Sequence, residues 1–229
     1  MQRVIVLLVA IAACGDDAAM IDPGPDAAEI LPDAAGAPTA AQLLGAISTC
    51  TVVGGKYAKD SGGAATVDIC GLTGAVFWKA DLDVDCDGKM SAKCSLATDP
   101  DYMSQTAATD SMGAPLDAAA LPYVVVPGVS TRWSYRAAGL AMGSVVAVIY
   151  GDHLEYGVLG DVGPVAAIGE ASYRMAELLT INPNPRTGGT AAEVAYIAFT
   201  GITAEVDVIE DHAMAVEIGV AHAKTLLGL

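Results

Sequence analysis

Aromatic residues, basic residues and several familiar motifs are scarce or missing in this chain. Phe, Trp and Tyr make up 5% of the 229 residues, and only 11 residues are Lys or Arg. Because basic patches with interleaved aromatic residues are absent, nucleic-acid binding is disfavoured. The chain also lacks a Gly-x-Ser-x-Gly elbow, a phosphate-binding glycine loop followed by Lys, and a Cys-x-x-Cys pair. These absences argue against an α/β-hydrolase nucleophile, a P-loop and a zinc site, and we expect no cofactor.

Acidic residues are abundant instead. The chain has 27 of them and a formal net charge of −16 at pH 7. The part after residue 40 still carries 21 acidic residues against 10 basic ones. A negative surface attracts cationic ligands and repels nucleic acid, although acidity also serves solubility. At this length the chain can form one sizeable core, with at most one appendage.

Short β-branched runs separated by turn residues predict a mainly β domain. We expect strands near residues 66–69, 75–82, 123–126, 144–150, 154–159 and 194–200. Helices are expected near residues 40–47, 170–180 and 209–227. Because strands outnumber helices and few βαβ alternations occur, a mainly antiparallel or mixed barrel is favoured over a doubly wound sheet.

Two acidic residues flank a glycine-rich turn within residues 156–172. Asp161 follows the second strand of a predicted hairpin, and Glu170 falls in the first turn of the predicted helix 170–180. Two carboxylates held on rigid elements could face one cleft. Cleavage of a glycosidic bond uses such a pair, one to protonate the leaving oxygen and one to activate water. Helix capping and the helix dipole also explain acidic residues at these places.

A second acidic motif, Asp-x-Asp-x-Asp-Gly, begins at Asp83 near the end of a predicted strand. Strand alternation places Asp81, Asp83 and Asp85 on one face. The same spacing opens an EF-hand loop, but the twelfth position holds Cys94 instead of Glu. A complete EF-hand is therefore excluded, and Asp83, Asp85 and Asp87 remain candidates for a degenerate calcium loop.

Three motifs follow one another between about residues 70 and 201. They are the Asp-rich motif at Asp83, the run from Gly-Asp161 to Ile-Gly-Glu170-Ala-Ser with a following Met-Ala, and Val-Ala-Tyr-Ile-Ala-Phe-Thr-Gly at residues 194–201. Together and in this order they resemble the fungal-type chitosanases of glycoside hydrolase family 75. The resemblance implies an endo-acting, inverting hydrolase of β-1,4-linked glucosamine polymers, with Asp161 and Glu170 as its essential acidic residues.

The resemblance also implies how substrate is bound. The cationic partner is chitosan, and the residues expected to contact it are Asp81, Asp83, Asp85, Lys79 and Tyr156, the last as a sugar-stacking ring or a core residue. We expect a monomer. Two alternatives stay open: another polysaccharide- or peptidoglycan-cleaving hydrolase on the same barrel, and a non-catalytic surface lipoprotein that binds glycans or calcium.

The two catalytic roles can be assigned as an expectation. A helix N-terminus would keep Glu170 ionised, which suits the base. Asp161, beside Val162 and Val165, would be desolvated and would act as the acid. The Gly-Asp-x-Gly-Pro turn at residues 160–164 is similar to that of double-psi β-barrel glycan-active enzymes, and this implies a six-stranded barrel with flanking helices.

The first 13 residues have the pattern of an export signal. A short basic region precedes a ten-residue apolar run that is too short to span a bilayer, and small residues lead to Cys14. This pattern resembles bacterial lipoprotein signals, which implies cleavage before Cys14, acylation of its thiol and anchoring at an extracytoplasmic membrane face. An ordinary secretory peptide is the alternative. Residues 14–40, rich in Asp, Ala, Pro and Gly, are expected to be a disordered tether before a catalytic domain at residues 41–229.

Four further cysteines indicate an oxidising compartment. They allow three disulfide connectivities. Cys86 and Cys94 flank a short loop and are the favoured pair, which leaves Cys50 with Cys70.

Overall fold

The computed structural model describes residues 36–229. The predicted signal peptide, Cys14 and most of the predicted tether lie outside the described residues. Pro38 and Ala40, at the end of the predicted tether, are buried. The last residues of that segment therefore pack with the domain.

Short strands make up most of the regular structure. The strands are β1 (Thr51–Val52), β2 (Cys70–Leu72), β3 (Ala75–Asp85), β4 (Tyr123–Pro127), β5 (Val145–Tyr150), β6 (His153–Gly163), β7 (Glu170–Ser172) and β8 (Thr190–Phe199). The helices are α1 (Ala40–Ala46), α2 (Tyr173–Leu178), α3 (His212–Leu227) and a short 3₁₀ helix (Ile202–Ala204). The expected strand at residues 66–69 is wrong, since Val67 forms only an isolated bridge with Tyr57.

Six of these strands close into a barrel. Their order is β3-β7-β4-β6-β5-β8, and β8 pairs with β3 to complete the ring. The β3–β7 and β4–β6 pairs are parallel and the other pairs of the ring are antiparallel. Strands β1 and β2 extend the sheet from β3. The predicted mainly β fold with a six-stranded barrel and flanking helices is confirmed.

Side chains alternate across the barrel wall and form two apolar clusters. One cluster is built around Trp78 and Tyr196, whose rings stack with centroids 5.3 Å apart. The other lies against α1 and α3 and includes Phe77 and Ile197, which are adjacent to Trp78 and Tyr196 on β3 and β8. Because residues of one strand point alternately to opposite faces, the wall is packed on both sides.

The turn before α2 differs from the expectation. Glu170 does not begin a helix; it is the first residue of β7, where it pairs with Asp83 on β3 and Val125 on β4. Ser172 then caps α2, and its hydroxyl accepts a hydrogen bond from the Met175 N–H at 3.2 Å. A three-residue strand is too short to be recognised from alternation in the sequence. Closure of the barrel nevertheless requires β7, because it joins β3 to β4.

Helix α3 follows the expected position closely. The Asp211 carboxylate accepts the Met214 N–H at its start, and Gly228 ends it in the left-handed conformation with φ 70°. Ala215, Gly219 and Ala223 form a buried stripe of small residues. Within residues 36–229, no helix has both the length and the apolar character needed to cross a bilayer.

Two disulfides join parts of the domain that precede β4. Cys50 bonds to Cys70, which links the end of the α1 segment to β2, and Cys86 bonds to Cys94 after β3. Both expected pairings are confirmed.

Gly219 allows α3 to lie directly on the barrel. A Cβ at this position would overlap the ring of Tyr156, a buried residue of β6. Although Ala is a better helix former than Gly, we expect Gly219→Ala to lower the free energy of unfolding by about 1–3 kcal/mol, because the ring must move. The matched control is Gly45→Ala in α1, where a Cβ meets nothing within 4 Å. That variant should be neutral or stabilised by up to about 1 kcal/mol. Urea unfolding of both variants tests this, and equal stability of the two would contradict the packing argument.

Candidate active site

Three carboxylates lie in one row across four neighbouring strands. Asp83 on β3 pairs with Glu170 on β7, Glu170 pairs with Val125 on β4, and Val125 pairs with Asp161 on β6. Directly paired residues of adjacent strands share a face of the sheet. The neighbours Ala171 and Val124 belong to the Trp78 cluster, so Glu170 and Val125 point to the opposite face.

Glycines leave room for this row. Gly163 lies two residues beyond Asp161 on β6, and a Cβ there would be 2.7 Å from Glu170 Oε2. Gly169, with φ +124°, precedes Glu170 in a conformation that other residues rarely adopt. Two of the four glycines in residues 156–172 therefore serve the Glu170 side chain and the turn that leads to β7, whereas Gly157 and Gly160 leave room for Pro122 and Tyr123.

The row opens into a cleft with a volume of about 480 Å³. Seven carboxyl groups line it, against a single guanidinium, that of Arg186: Asp83, Asp85, Asp87, Asp99, Asp101, Asp161 and Glu170. A second cavity of about 500 Å³, beside Trp133, is lined by apolar residues, serines and threonines without any acidic or basic side chain. The acidic cleft is therefore the better candidate for bond-cleaving chemistry.

Glu170 is placed so that its protonated form is favoured. Burial first, and then the negative charges of Asp83, Asp87 and Asp161, raise the pKa of its carboxyl group to about 7. Among residues 36–229, no donor forms a hydrogen bond to this carboxylate. Glu170 therefore resembles a proton donor at neutral pH.

Asp161 has a different environment, although it is also largely buried. Its Oδ1 accepts the backbone N–H groups of Ala107 and Val162, each at 2.7 Å. Burial raises the pKa of Asp161, while these two hydrogen bonds act to lower it. Because N–H donors favour the charged carboxylate, Asp161 ionises more readily than Glu170.

Three further acids of the cleft, Asp83, Asp85 and Asp87, also bind protons more tightly than usual. Burial and neighbouring carboxylates raise the pKa of Asp83 and of Asp87 to about 6. Burial raises the pKa of Asp85 well above its ordinary value, although its Oδ1 accepts the Asp87 N–H at 2.7 Å. In each of these three residues, burial is the largest cause of the raised pKa.

Some residues expected to bind substrate lie elsewhere. Lys79 forms an ion pair with Glu193 at 3.3 Å and lines a separate pocket beside the Cys50–Cys70 disulfide. Tyr156 is buried beneath α3, so its ring is a core contact. Asp81 is buried outside the cleft and faces Asp60, whereas Asp83 and Asp85 do line the cleft. The carboxylates of Asp81 and Asp83 still lie within 4.8 Å of each other, and β3 has a break in register between Ala80 and Leu82.

Three cleft residues were not identified from the sequence. Asp99 and Asp101 come from the loop after Cys94, and Arg186 comes from the turn-rich segment before β8. The Arg186 Nε donates to the Thr98 carbonyl at 2.9 Å and Nη2 donates to the Ala97 carbonyl at 3.2 Å. The guanidinium thus joins the two loops that border the cleft. No local sequence signal indicates this contact, because the partners are 88 and 89 residues apart.

Two partly desolvated carboxyl groups in an acid-lined cleft are the kind of site that glycoside hydrolysis uses. The family described as fungal chitosanase of glycosyl hydrolase group 75 matches residues 82–218. Endo-chitosanase B of Aspergillus oryzae is 34% identical over 151 residues, which cover 58% of this chain and 63% of that protein. An endo-chitosanase of Aspergillus fumigatus is 30% identical over 157 residues, covering 62% and 65%.

The chain belongs to this fungal chitosanase family, group 75 of the glycosyl hydrolases. The resemblance seen in the three sequence motifs is thereby confirmed. The chain spans less than two thirds of the length of these curated relatives.

The pKa values of the cleft predict how stability depends on pH. A carboxyl group whose pKa is higher in the folded state than in the unfolded state contributes most below its unfolded pKa, and loses that contribution as the pH rises through its folded pKa. The pKa of Glu170 is about 7, and those of Asp83 and Asp87 are about 6. These groups therefore lower the free energy of unfolding as the pH rises from about 5 to about 8. Burial lowers the pKa of His212, which acts in the opposite sense.

Comparison of variants isolates the part due to Glu170. In Glu170→Gln the change in unfolding free energy between pH 5 and pH 8 should be smaller by about 1–3 kcal/mol. Glu217→Gln, at an exposed position of α3, should retain the wild-type pH dependence. Urea unfolding at the two pH values provides the measurement. An unchanged pH dependence in Glu170→Gln would show that Glu170 titrates normally.

Proposed function

We propose that this protein is an endo-acting hydrolase that cleaves β-1,4 linkages in chitosan by an inverting mechanism with Asp161 and Glu170. The observation that carries this proposal is the row in which these two residues flank Val125 on three adjacent strands. Membership of the chitosanase family supports the substrate, as do the names of the relatives.

The charge of the cleft supports a cationic polysaccharide. Glucosamine units carry ammonium groups, and seven carboxyl groups line the cleft against one guanidinium. Asp83 and Asp85 lie on the Glu170 side, and Asp99 and Asp101 provide further acidic positions. An ammonium group nearby favours the ionised form of these carboxyl groups, so binding and ionisation reinforce each other. Neutral glucans gain none of this attraction.

The strand geometry supports inversion. Adjacent strands are about 4.8 Å apart, so the backbones of Asp161 and Glu170, two strands apart, are separated by about 10 Å. Side chains that converge from these positions suit the separation of about 6.5–9.5 Å that leaves room for a water molecule. A retaining enzyme needs its carboxyl groups only about 5–5.5 Å apart.

The two roles are the reverse of the sequence-based expectation. That expectation depended on a helix N-terminus at Glu170, and β7 stands in its place. With its pKa near 7, Glu170 is the proton donor to the leaving glycosidic oxygen. Asp161, which accepts two backbone N–H groups, is the base that deprotonates the attacking water. The other carboxylates stabilise the positive charge that develops on the sugar ring.

An extracytoplasmic location is part of the proposal. Two disulfides in the domain support an oxidising compartment. The signal peptide at residues 1–13, the lipid anchor at Cys14 and the monomeric state remain predictions.

The direct test is an assay of new reducing ends with chitosan, chitin, cellulose and peptidoglycan. Chitosan should be cleaved fastest, and Asp161→Asn and Glu170→Gln should each lower kcat by about 10²–10⁴-fold. Asp152→Asn is the matched control, because its side chain is fully exposed in a turn away from the cleft. Preference for another polymer would overturn the substrate, and full activity of either cleft variant would overturn the paired mechanism.

The same variants separate the two roles. A glucosamine oligomer with a dinitrophenyl leaving group needs no protonation of the departing oxygen. Glu170→Gln should therefore recover most of its lost rate on this substrate, whereas Asp161→Asn should not. The opposite ranking would reverse the assignment.

A further inference from the structure

Three aspartates converge at the edge of the cleft, on the far side of Glu170 from Asp161, and Asp83 belongs both to the cleft and to this group. Asp60 comes from the loop after β1, and Asp81 and Asp83 come from β3. One carboxylate oxygen of each lies within 4.8 Å of those of the other two. Asp60 and Asp83 are exposed, whereas only 6% of Asp81 is exposed. Two accessible carboxylates therefore lie beside one buried carboxylate.

The buried aspartate lacks a partner. Asp81 Oδ1 is inaccessible to solvent and accepts no hydrogen bond. The residue is held in place, since its carbonyl accepts the Tyr196 hydroxyl at 2.7 Å and the backbone of Gly169 passes against its carboxylate. A buried carboxylate oxygen without a donor is unfavourable unless a cation compensates it.

The described part of the chain places no such cation in contact with Asp81. Within residues 36–229, no Lys, Arg or His forms an ion pair with Asp60, Asp81 or Asp83. The charge of Lys59 acts to lower the pKa of Asp81 and of Asp83, but its ammonium group donates to the Ala191 carbonyl at 3.4 Å and forms no ion pair with either carboxylate. The three carboxylates therefore lie together without an ion pair to a basic residue.

We propose that Asp60, Asp81 and Asp83 form a binding site for a divalent cation of the calcium type. Calcium binds oxygen ligands at about 2.3–2.6 Å, so two of its ligands lie at most about 5 Å apart, which the trio satisfies. A sugar ammonium group fits less well, because it carries one charge and the polymer would have to reach the buried Asp81. Hydrated calcium can lose water and enter.

This site differs from the degenerate calcium loop that the sequence suggested. Asp85 and Asp87 are engaged elsewhere, since Asp85 Oδ1 accepts the Asp87 N–H and Asp87 Oδ1 accepts the Met103 N–H. Of the three acids in that motif, Asp83 alone belongs to the converging trio. Its new partner Asp60 is 23 positions away, so no local motif reveals it.

A bound cation would fix one wall of the candidate active site. The loop of Asp60 already pairs with the segment before β7, where the Ala58 N–H donates to the Ala166 carbonyl and the Ile168 N–H donates to the Ala58 carbonyl, each at 3.0 Å. The ion would add a second link between this loop and β3. Residues 166–169 lead directly to Glu170, so the expected role is structural support of the catalytic turn.

Calorimetric titration of the chelator-treated protein with CaCl₂ at pH 7.5 tests the proposal. We expect one ion per chain with a Kd of about 10⁻⁵–10⁻³ M. Asp60→Asn and Asp81→Asn should each weaken binding at least about tenfold, since each removes one charged ligand. The exposed Asp60 side chain makes no contact that folding requires among the described residues, so this variant remains informative if Asp81→Asn fails to fold.

Two controls locate the ion. Asp152→Asn should bind calcium as the wild type does, and so should Asp101→Asn, which removes a cleft carboxylate outside the trio. The melting temperature of the wild type should rise by about 3–6 °C at a tenfold excess of calcium over Kd, but not in choline chloride of equal ionic strength.

Several outcomes would overturn the proposal. They are the absence of saturable binding up to about 10 mM calcium, equal binding by Asp60→Asn, and loss of binding in Asp101→Asn, which would move the ion to the cleft. Saturable binding of glucosamine that requires Asp60, without calcium binding, would identify an ammonium subsite instead. Because calcium is titrated without chitosan, failure here leaves the proposed hydrolase activity untouched.

Discussion

The removal of water from closely spaced carboxyl groups is the constraint on which the candidate site depends. Backbone pairing of β3, β7, β4 and β6 holds Asp83, Glu170 and Asp161 in one row regardless of their charge. Burial raises the pKa of all three, and the two N–H groups at Asp161 separate its behaviour from that of Glu170. The apolar clusters on both sides of the barrel wall stabilise the fold against the resulting repulsion. A difference in backbone environment thus makes two similar carboxyl groups ionise differently.

Much of this arrangement could be predicted because it is local. Long β-branched runs indicated β4, β5, β6 and β8, and the short loop between Cys86 and Cys94 indicated their disulfide. The acid pair was found from its turn and from the family motifs. β7 could not be predicted, since its three residues carry no alternation and its partners, Asp83 and Val125, are 87 and 45 positions away. The expected roles of Asp161 and Glu170 rested on a helix N-terminus at Glu170, where the structure has β7.

The other errors arose because the sequence does not show which face of a strand is covered, or which distant segments meet in the fold. Nothing in the sequence tells which side of β6 is covered by α3, so Tyr156 could be a sugar contact or a core residue, and the structure makes it a core residue. Asp81 does not line the cleft with Asp83 and Asp85, although its carboxylate lies within 4.8 Å of that of Asp83. Asp60, Asp99 and Arg186 reach their places through loops whose paths depend on tertiary contacts. Residues that act together in this domain come from segments brought together by barrel closure.

The central claim is that Asp161 and Glu170, on either side of Val125, act as an inverting pair on chitosan. Proton NMR of the first product, recorded before the sugar equilibrates, tests it most directly. The β-linked polymer should release a new reducing end in the α configuration, because water attacks from the face opposite the leaving group. A first product in the β configuration would contradict the account, since retention requires a covalent intermediate and carboxyl groups only about 5–5.5 Å apart.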